Sequence, residues 1–154
     1  MREISSELRN LLTTVGFHDF RLLGVNASQW IEQLTPEYSC FPAADIALRS
    51  FGGLTVNVSG PGENVVRSDF ELDPTDGIGA GDYYRDHEEI VGGKLYPLGC
   101  CSREVDSLVV DDSGRAYCFN DAGVFRFAST EELIMGLILG RRGELIWPLR
   151  ADNE

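Results

Sequence analysis

The sequence predicts an α+β fold: an antiparallel-rich mixed sheet with a central meander, packed by N-terminal helices and a C-terminal helix. Three observations carry that expectation. Apolar residues recur at helical spacing through the first third of the chain, three short β segments separated by glycine-bearing turns run from Ser107 to Phe127, and an apolar helical stripe lies between Ser129 and Gly140. Helices first, a meander next and a helix last make helices packed on one sheet the natural architecture.

Each element has a local reason. Ile4, Leu8, Leu11, Leu12 and Val15 keep helical spacing up to Gly16, which predicts an amphipathic helix over residues 5 to 15. Arg21 to Val25 reads as a short extended segment. Ser28 stands where it can cap a helix that buries Trp30, Ile31 and Leu34, and Thr35-Pro36 stops it because the residue before proline is pushed out of the helical region. A third helix begins at Pro42 and lines one face with Ala44, Ala47, Leu48 and Phe51. At Gly52-Gly53 the period changes from helical to two. Leu54, Val56 and Val58 then face one way and Thr55, Asn57 and Ser59 the other, as in a half-buried strand. A helix that reverses into a strand within two residues needs a residue able to take positive φ, and glycine does so at least cost.

Gly60-Pro61-Gly62 breaks the chain, and Asp69 to Leu72 alternate as a second strand that ends at Asp73-Pro74. Residues 77 to 93 show no strong period and read as irregular or weakly helical. Leu95-Tyr-Pro-Leu-Gly99 is apolar, and its proline suits an edge strand or a strand entry. The meander follows as Ser107 to Val110, Ala116 to Phe119 and Val124 to Phe127, with turns at Asp111 to Gly114 and Asn120 to Gly123. Ser129 and Glu132 fit a capping box, Leu133, Ile134, Leu137 and Ile138 supply a buried stripe, and Gly140 ends that helix. Arg141 and Arg142 then stand where cations favour the helix dipole.

Length and composition set the outer limits. With 154 residues and 43% hydrophobic content, one globular domain spanning residues 1–154 is expected. The apolar run from Leu133 to Leu139 falls far short of the roughly 20 residues a membrane span requires, and no signal-peptide core follows Met1-Arg2-Glu3, so a cytoplasmic location is expected. Cys40, Cys100, Cys101 and Cys118 read as free thiols in a reducing compartment, and no metal is expected because adjacent Cys100 and Cys101 lack the usual spacing of zinc ligands.

The formal net charge is −12, a field that repels nucleic acid and anionic membrane and attracts a basic partner. The acidity is concentrated. Asp69, Glu71, Asp73, Asp76, Asp82, Asp86, Glu88 and Glu89 stand against the single base Arg85, and a solvated surface or an interface for a cationic protein would each explain such a segment.

Catalytic patterns fail on inspection. Gly77-Ile-Gly-Ala-Gly81 resembles a phosphate-binding loop, but Asp73, Asp76 and Asp82 beside it would repel phosphate, so a flexible loop is expected. His87-Glu-Glu89 with Pro97 to Cys101 loosely resembles a zinc deaminase signature and lacks its two-residue cysteine gap. His18 and His87 read as exposed or loop-bound imidazoles, and neither is joined by its sequence context to a nucleophile. No catalytic residue, metal ligand or cofactor site is assigned.

Taken in order, Trp30 to Leu34, Phe41-Pro-Ala-Ala44, Phe51-Gly-Gly-Leu54, Leu95-Tyr-Pro-Leu-Gly99, Leu108-Val-Val-Asp-Asp-Ser-Gly-Arg-Ala-Tyr117 and Ser129 to Gly140 resemble the SUKH superfamily of bacterial immunity proteins, its third subfamily above all. The resemblance covers nearly the whole chain. It implies a non-catalytic protein that binds and neutralises a cognate toxin, most often a nuclease, of a polymorphic or contact-dependent toxin system. It assigns Gly52, Gly53, Tyr96, Pro97, Gly99, Gly114, Arg115 and Tyr117 to the scaffold and names no contact residues. In its light the acidic residues Asp73, Asp76, Asp82, Asp86, Glu88 and Glu89 become the candidate surface for a toxin with a basic face. A cytoplasmic regulatory or scaffold module is the alternative, and a small hydrolase or metal-dependent enzyme a remote one.

Overall fold

The computed structural model describes residues 4–101 and 106–147. Three helices come first, α1 (Ser6–Thr14), α2 (Ala27–Leu34) and α3 (Pro42–Phe51), followed by two-residue strands β1 (Thr55–Val56) and β2 (Phe70–Glu71). Helix α4 (Gly81–Val91) precedes β3 (Leu95–Cys101), β4 (Asp106–Asp111), β5 (Ala116–Asn120) and β6 (Gly123–Phe127), and α5 (Thr130–Leu139) is followed by β7 (Glu144–Trp147). The strands lie in the sheet in chain order, and every described pairing is antiparallel. This is the α+β architecture with a central meander that the sequence predicts.

The glycine pair after α3 divides its work. Gly53 has φ +95°, which an L side chain rarely adopts, whereas Gly52 is required by space: a Cβ there would lie 2.5 Å from the Leu48 carbonyl oxygen. Hydrogen bonds hold the reversal on both sides. The Gly24 amide donates to the Gly52 carbonyl at 2.8 Å, and the Gly53 amide donates to the Leu72 carbonyl at 2.8 Å. The junction therefore fastens α3 at once to the loop before α2 and to the end of β2.

Register assigns the two faces of the sheet. Cys118, Phe125 and Leu145 are cross-strand partners and line a cleft with Gly136 and Leu137 of α5; Val110 on the same face lines another with Ala43, Ile46 and Ala47 of α3. Phe119, Val124 and Trp147 are partners on the opposite face, where Phe119 and Trp147 meet His87 of α4 at ring separations of 5.3 Å. Helices α3 and α5 thus cover one face and α4 the other.

Four local expectations change. Residues 81–91 form a regular helix, α4, whose buried side chains are Tyr84, His87 and Val91; two of the three are not aliphatic, so the apolar period is weak. Arg21 to Val25 hold no strand but a 3-10 turn at Phe20–Leu22. Asn26, not Ser28, occupies the N-cap of α2, and the Ser28 hydroxyl instead accepts from Arg49 at 3.2 Å. A strand, β7, follows α5 and pairs with β6.

Pro97 lies within the sheet, in a strand paired throughout with β4. Its position is nonetheless edge-like. β2 pairs only with Cys100 and Cys101, so on that side Pro97 meets the 3-10 turn at Pro74–Gly77 and no described strand takes the missing amide. The register shifts between Pro97 and Gly99, and a Cβ at Gly99 would lie 2.1 Å from the Glu71 carbonyl oxygen. These two motif residues let β2 close on β3.

Candidate partner-binding face

Helix α4 begins on a carboxylate from another part of the chain. Glu37, in the loop after α2, accepts from the Gly79 amide at 2.8 Å with one oxygen and from the Gly81 amide at 2.7 Å with the other. The glycine run at 77–81 therefore does cradle an anion, and that anion is the protein's own. A negative charge at a helix N-terminus is favoured by the unpaired amides and the helix dipole. Tyr38, the next residue, donates its hydroxyl to the Gly77 carbonyl at 2.6 Å, and its ring stands 5.7 Å from that of Tyr96. Burial, with Glu37 second, raises the Tyr38 hydroxyl well above its ordinary value. The start of α4 is thus pinned to the α2–α3 loop and, through Tyr96, to β3.

The inward side of α4 is aromatic. Tyr84 and His87 pack on Phe119, and His87 also bonds the Tyr83 carbonyl through Nδ1 at 2.8 Å. His87 is 9% exposed, so the expected exposed or loop-bound imidazole is corrected to a buried one, whereas His18 is exposed as expected.

The outward side carries the charge. At 100° per residue Asp82, Asp86 and Glu89 fall within a narrow sector opposite Tyr84, His87 and Val91, and all three are exposed. Arg85 flanks this stripe on one side, paired with Asp82 at 2.7 Å, a bond that raises its guanidinium further. On the other flank, seven residues apart and so on the same line, stand Tyr83 and Ile90, 43% and 36% exposed; Ile78, in the loop before the helix, is 56% exposed. Tyr83 is held in place by ring contacts with Tyr84, His87 and Phe119, so its exposed part is presented rigidly.

The other candidate acids are differently placed. Asp73 caps the 3-10 turn, accepting from the Thr75 amide at 2.9 Å and the Thr75 hydroxyl at 2.6 Å. Glu88 is half-buried and accepts from the Leu95 amide at 3.1 Å, tying the end of α4 to the start of β3. Asp76 is exposed in the 3-10 turn at Pro74–Gly77, ahead of α4. Thus Asp76, Asp82, Asp86 and Glu89 face solvent, while Asp73 and Glu88 serve local structure. Sequence reasoning missed Tyr83 and Ile90, which become visible as a flank only once residues 81–91 are read as a helix, and the exposed Ile78 in the loop before it. Glu37 had no signal at all.

Gly114, Arg115 and Tyr117 meet in a second cluster around Asp111. Asp111 is nearly fully buried, and its Oδ1 accepts from the Ser113 amide at 2.9 Å, the Ser113 hydroxyl at 2.7 Å and the Arg115 amide at 3.1 Å. Its Oδ2 accepts from the Tyr117 hydroxyl. One carboxylate therefore closes the β4–β5 turn, at which Gly114 takes φ +95°, and satisfies the only polar atom of a fully buried tyrosine side chain. Burial, then the Asp111 carboxylate, pushes the Tyr117 hydroxyl up.

Helix α4 therefore presents a rigid acidic and aromatic face to solvent. The profile of the SUKH-3 immunity protein family matches residues 4–140, and the chain belongs to that family. No curated protein and no solved structure matches it. Among the described residues no helix is long and apolar enough to cross a membrane.

Proposed function

We propose that this immunity protein binds and neutralises a cognate toxin, a nuclease of a polymorphic or contact-dependent toxin system, through the outer face of α4, and that it does so in the cytoplasm and without catalysis. The observation that carries this reading is the stripe of Asp82, Asp86 and Glu89 lying beside Tyr83 and Ile90. A nuclease needs cationic surface to hold phosphates, and an acidic stripe steers toward such a surface and covers it. Tyr83 and Ile90 supply what charge alone lacks, since apolar and aromatic anchors carry most of the lasting affinity in protein interfaces. Asp76 extends the negative rim. Asp73 and Glu88 contribute mainly to the field, because one oxygen of each already holds a backbone amide.

The test is binding to the toxin encoded beside this protein's gene. Reversing Asp82, Asp86 and Glu89 together to lysine is expected to slow association and flatten its salt dependence, with the helical signal kept. Tyr83→Ala is expected to raise the dissociation rate by about tenfold or more. Failure of any complex to form, or affinity unchanged in both variants, overturns the proposal.

A further inference from the structure

On the sheet face opposite α4, Cys101 ends β3, Asp106 begins β4 as its cross-strand partner, and Cys118 lies in β5 opposite Leu108. Asp106 and Leu108 are two apart in one strand, so the three side chains share a face. One ligand atom from each lies within 4.8 Å of the other two, and both cysteines are buried. Asn120 stands behind them, donating to the Cys118 sulfur at 3.9 Å, and the group borders a cleft of about 540 Å³.

We propose that Cys101, Asp106 and Cys118 bind one thiophilic divalent cation of the Zn²⁺ class. Two thiolates and a carboxylate are ligands this ion accepts, and three protein ligands leave a fourth tetrahedral position open toward the cleft. Bond lengths near 2.3 Å to sulfur put two zinc-bound sulfurs roughly 3.8 Å apart, so ligand atoms already within 4.8 Å need only a small contraction. A disulfide does not fit the same pair. The two cysteines sit on either side of β4, opposite Asp106 and Leu108, so their Cα atoms are separated by two strand spacings, roughly 9.5 Å, and by a two-residue offset, beyond the roughly 7 Å a disulfide tolerates. Cys100 takes no part, because alternation along β3 turns it to the other face toward Ser107. The adjacency of Cys100 and Cys101 therefore says nothing about this site, whose ligands meet only across three strands. Binding exchanges two thiol protons for the ion, leaving a complex of net charge −1 that pins β3, β4 and β5 together.

The experiment is titration of the reduced full-length protein with Co²⁺ alone, followed by displacement with Zn²⁺. Expected are one Co²⁺ per chain, a cobalt–thiolate charge-transfer band, and release of two protons per ion. Cys101→Ser and Cys118→Ser are expected to lose the band and at least about 100-fold in affinity, more than the 10–100-fold that outer-shell partners cost. Cys100→Ser keeps both. Should the cysteine variants fail to fold, the half-buried Asp106→Asn decides: binding weaker by about 100-fold or more with the band retained supports the site, since outer-shell partners cost less. Substoichiometric binding, absence of the band in the native protein, or a band unchanged in Cys101→Ser, or in Asp106→Asn with unchanged affinity, overturns it.

Discussion

Removing the Asp111 carboxylate should destabilise this protein out of proportion to one surface-turn residue. Asp111 is 2% exposed and Tyr117 0%, so in Asp111→Ala the tyrosine hydroxyl is left without its partner in a site closed to water. An unsatisfied buried donor costs about 1–3 kcal/mol, and loss of the bonds to the Ser113 and Arg115 amides, which solvent can partly replace, adds about 1 kcal/mol. The expected total is about 3 kcal/mol, a fall in Tm of about 6–12 °C for a chain of this size. Tyr117→Phe should cost about 1.5 kcal/mol, since Asp111 keeps three other donors. The double variant distinguishes this account from simple loss of packing. Once the hydroxyl is gone, removing Asp111 no longer strands it, so the two effects should fall short of additivity by about 1.5 kcal/mol. Urea unfolding followed by far-UV circular dichroism measures all four proteins. Additivity within about 0.3 kcal/mol would refute the reasoning, because residues that share no partner add to that precision.

Gly53→Val should lower stability by about 2 kcal/mol or more, since a β-branched residue is strained at φ +95°, while Gly53→Asn should lose under half as much. Chemical denaturation measures both, and a stable valine variant that fails only in partner binding would remove the junction's proposed structural role. Stability should also fall as pH rises above about 10. Tyr38, Tyr96 and Tyr117 have hydroxyls raised from an ordinary value of 10.0 by burial first of all, so above that value the unfolded chain ionises while the folded one stays neutral. The stabilisation is whole below pH 10 and is lost progressively above it. Denaturant midpoints at pH 9 and 11 check the sign; equal midpoints would contradict it.

Much of this molecule is local in origin and was legible for that reason. Leu8 and Leu12 in α1, Ala44 to Phe51 in α3 and Leu133 to Ile138 in α5 announce their helices through spacing, and the meander turns carry Asp, Asn and Gly where turns need them. Helix α4 was obscured because Tyr84 and His87 fill positions where the pattern looks for aliphatic residues. Strand β7 was obscured because Glu144 to Trp147 lie at an edge, half-buried or exposed, with their period interrupted by a register shift against β6. The acidic segment was visible as composition, but which of its carboxylates face solvent and which hold backbone amides depended on the folded arrangement.

The sequence by itself determined the α+β class, the order of its motifs and the concentration of negative charge, because spacing, turn chemistry and net charge are properties of neighbours along the chain. Only the tertiary structure decided that α4 crosses to the other face of the sheet, that Glu37 fills the glycine loop 42 to 44 residues downstream, and that Cys101, Asp106 and Cys118 meet across three strands. Those are encounters between residues far apart in sequence, brought about by strand register and helix packing, and no local pattern encodes them.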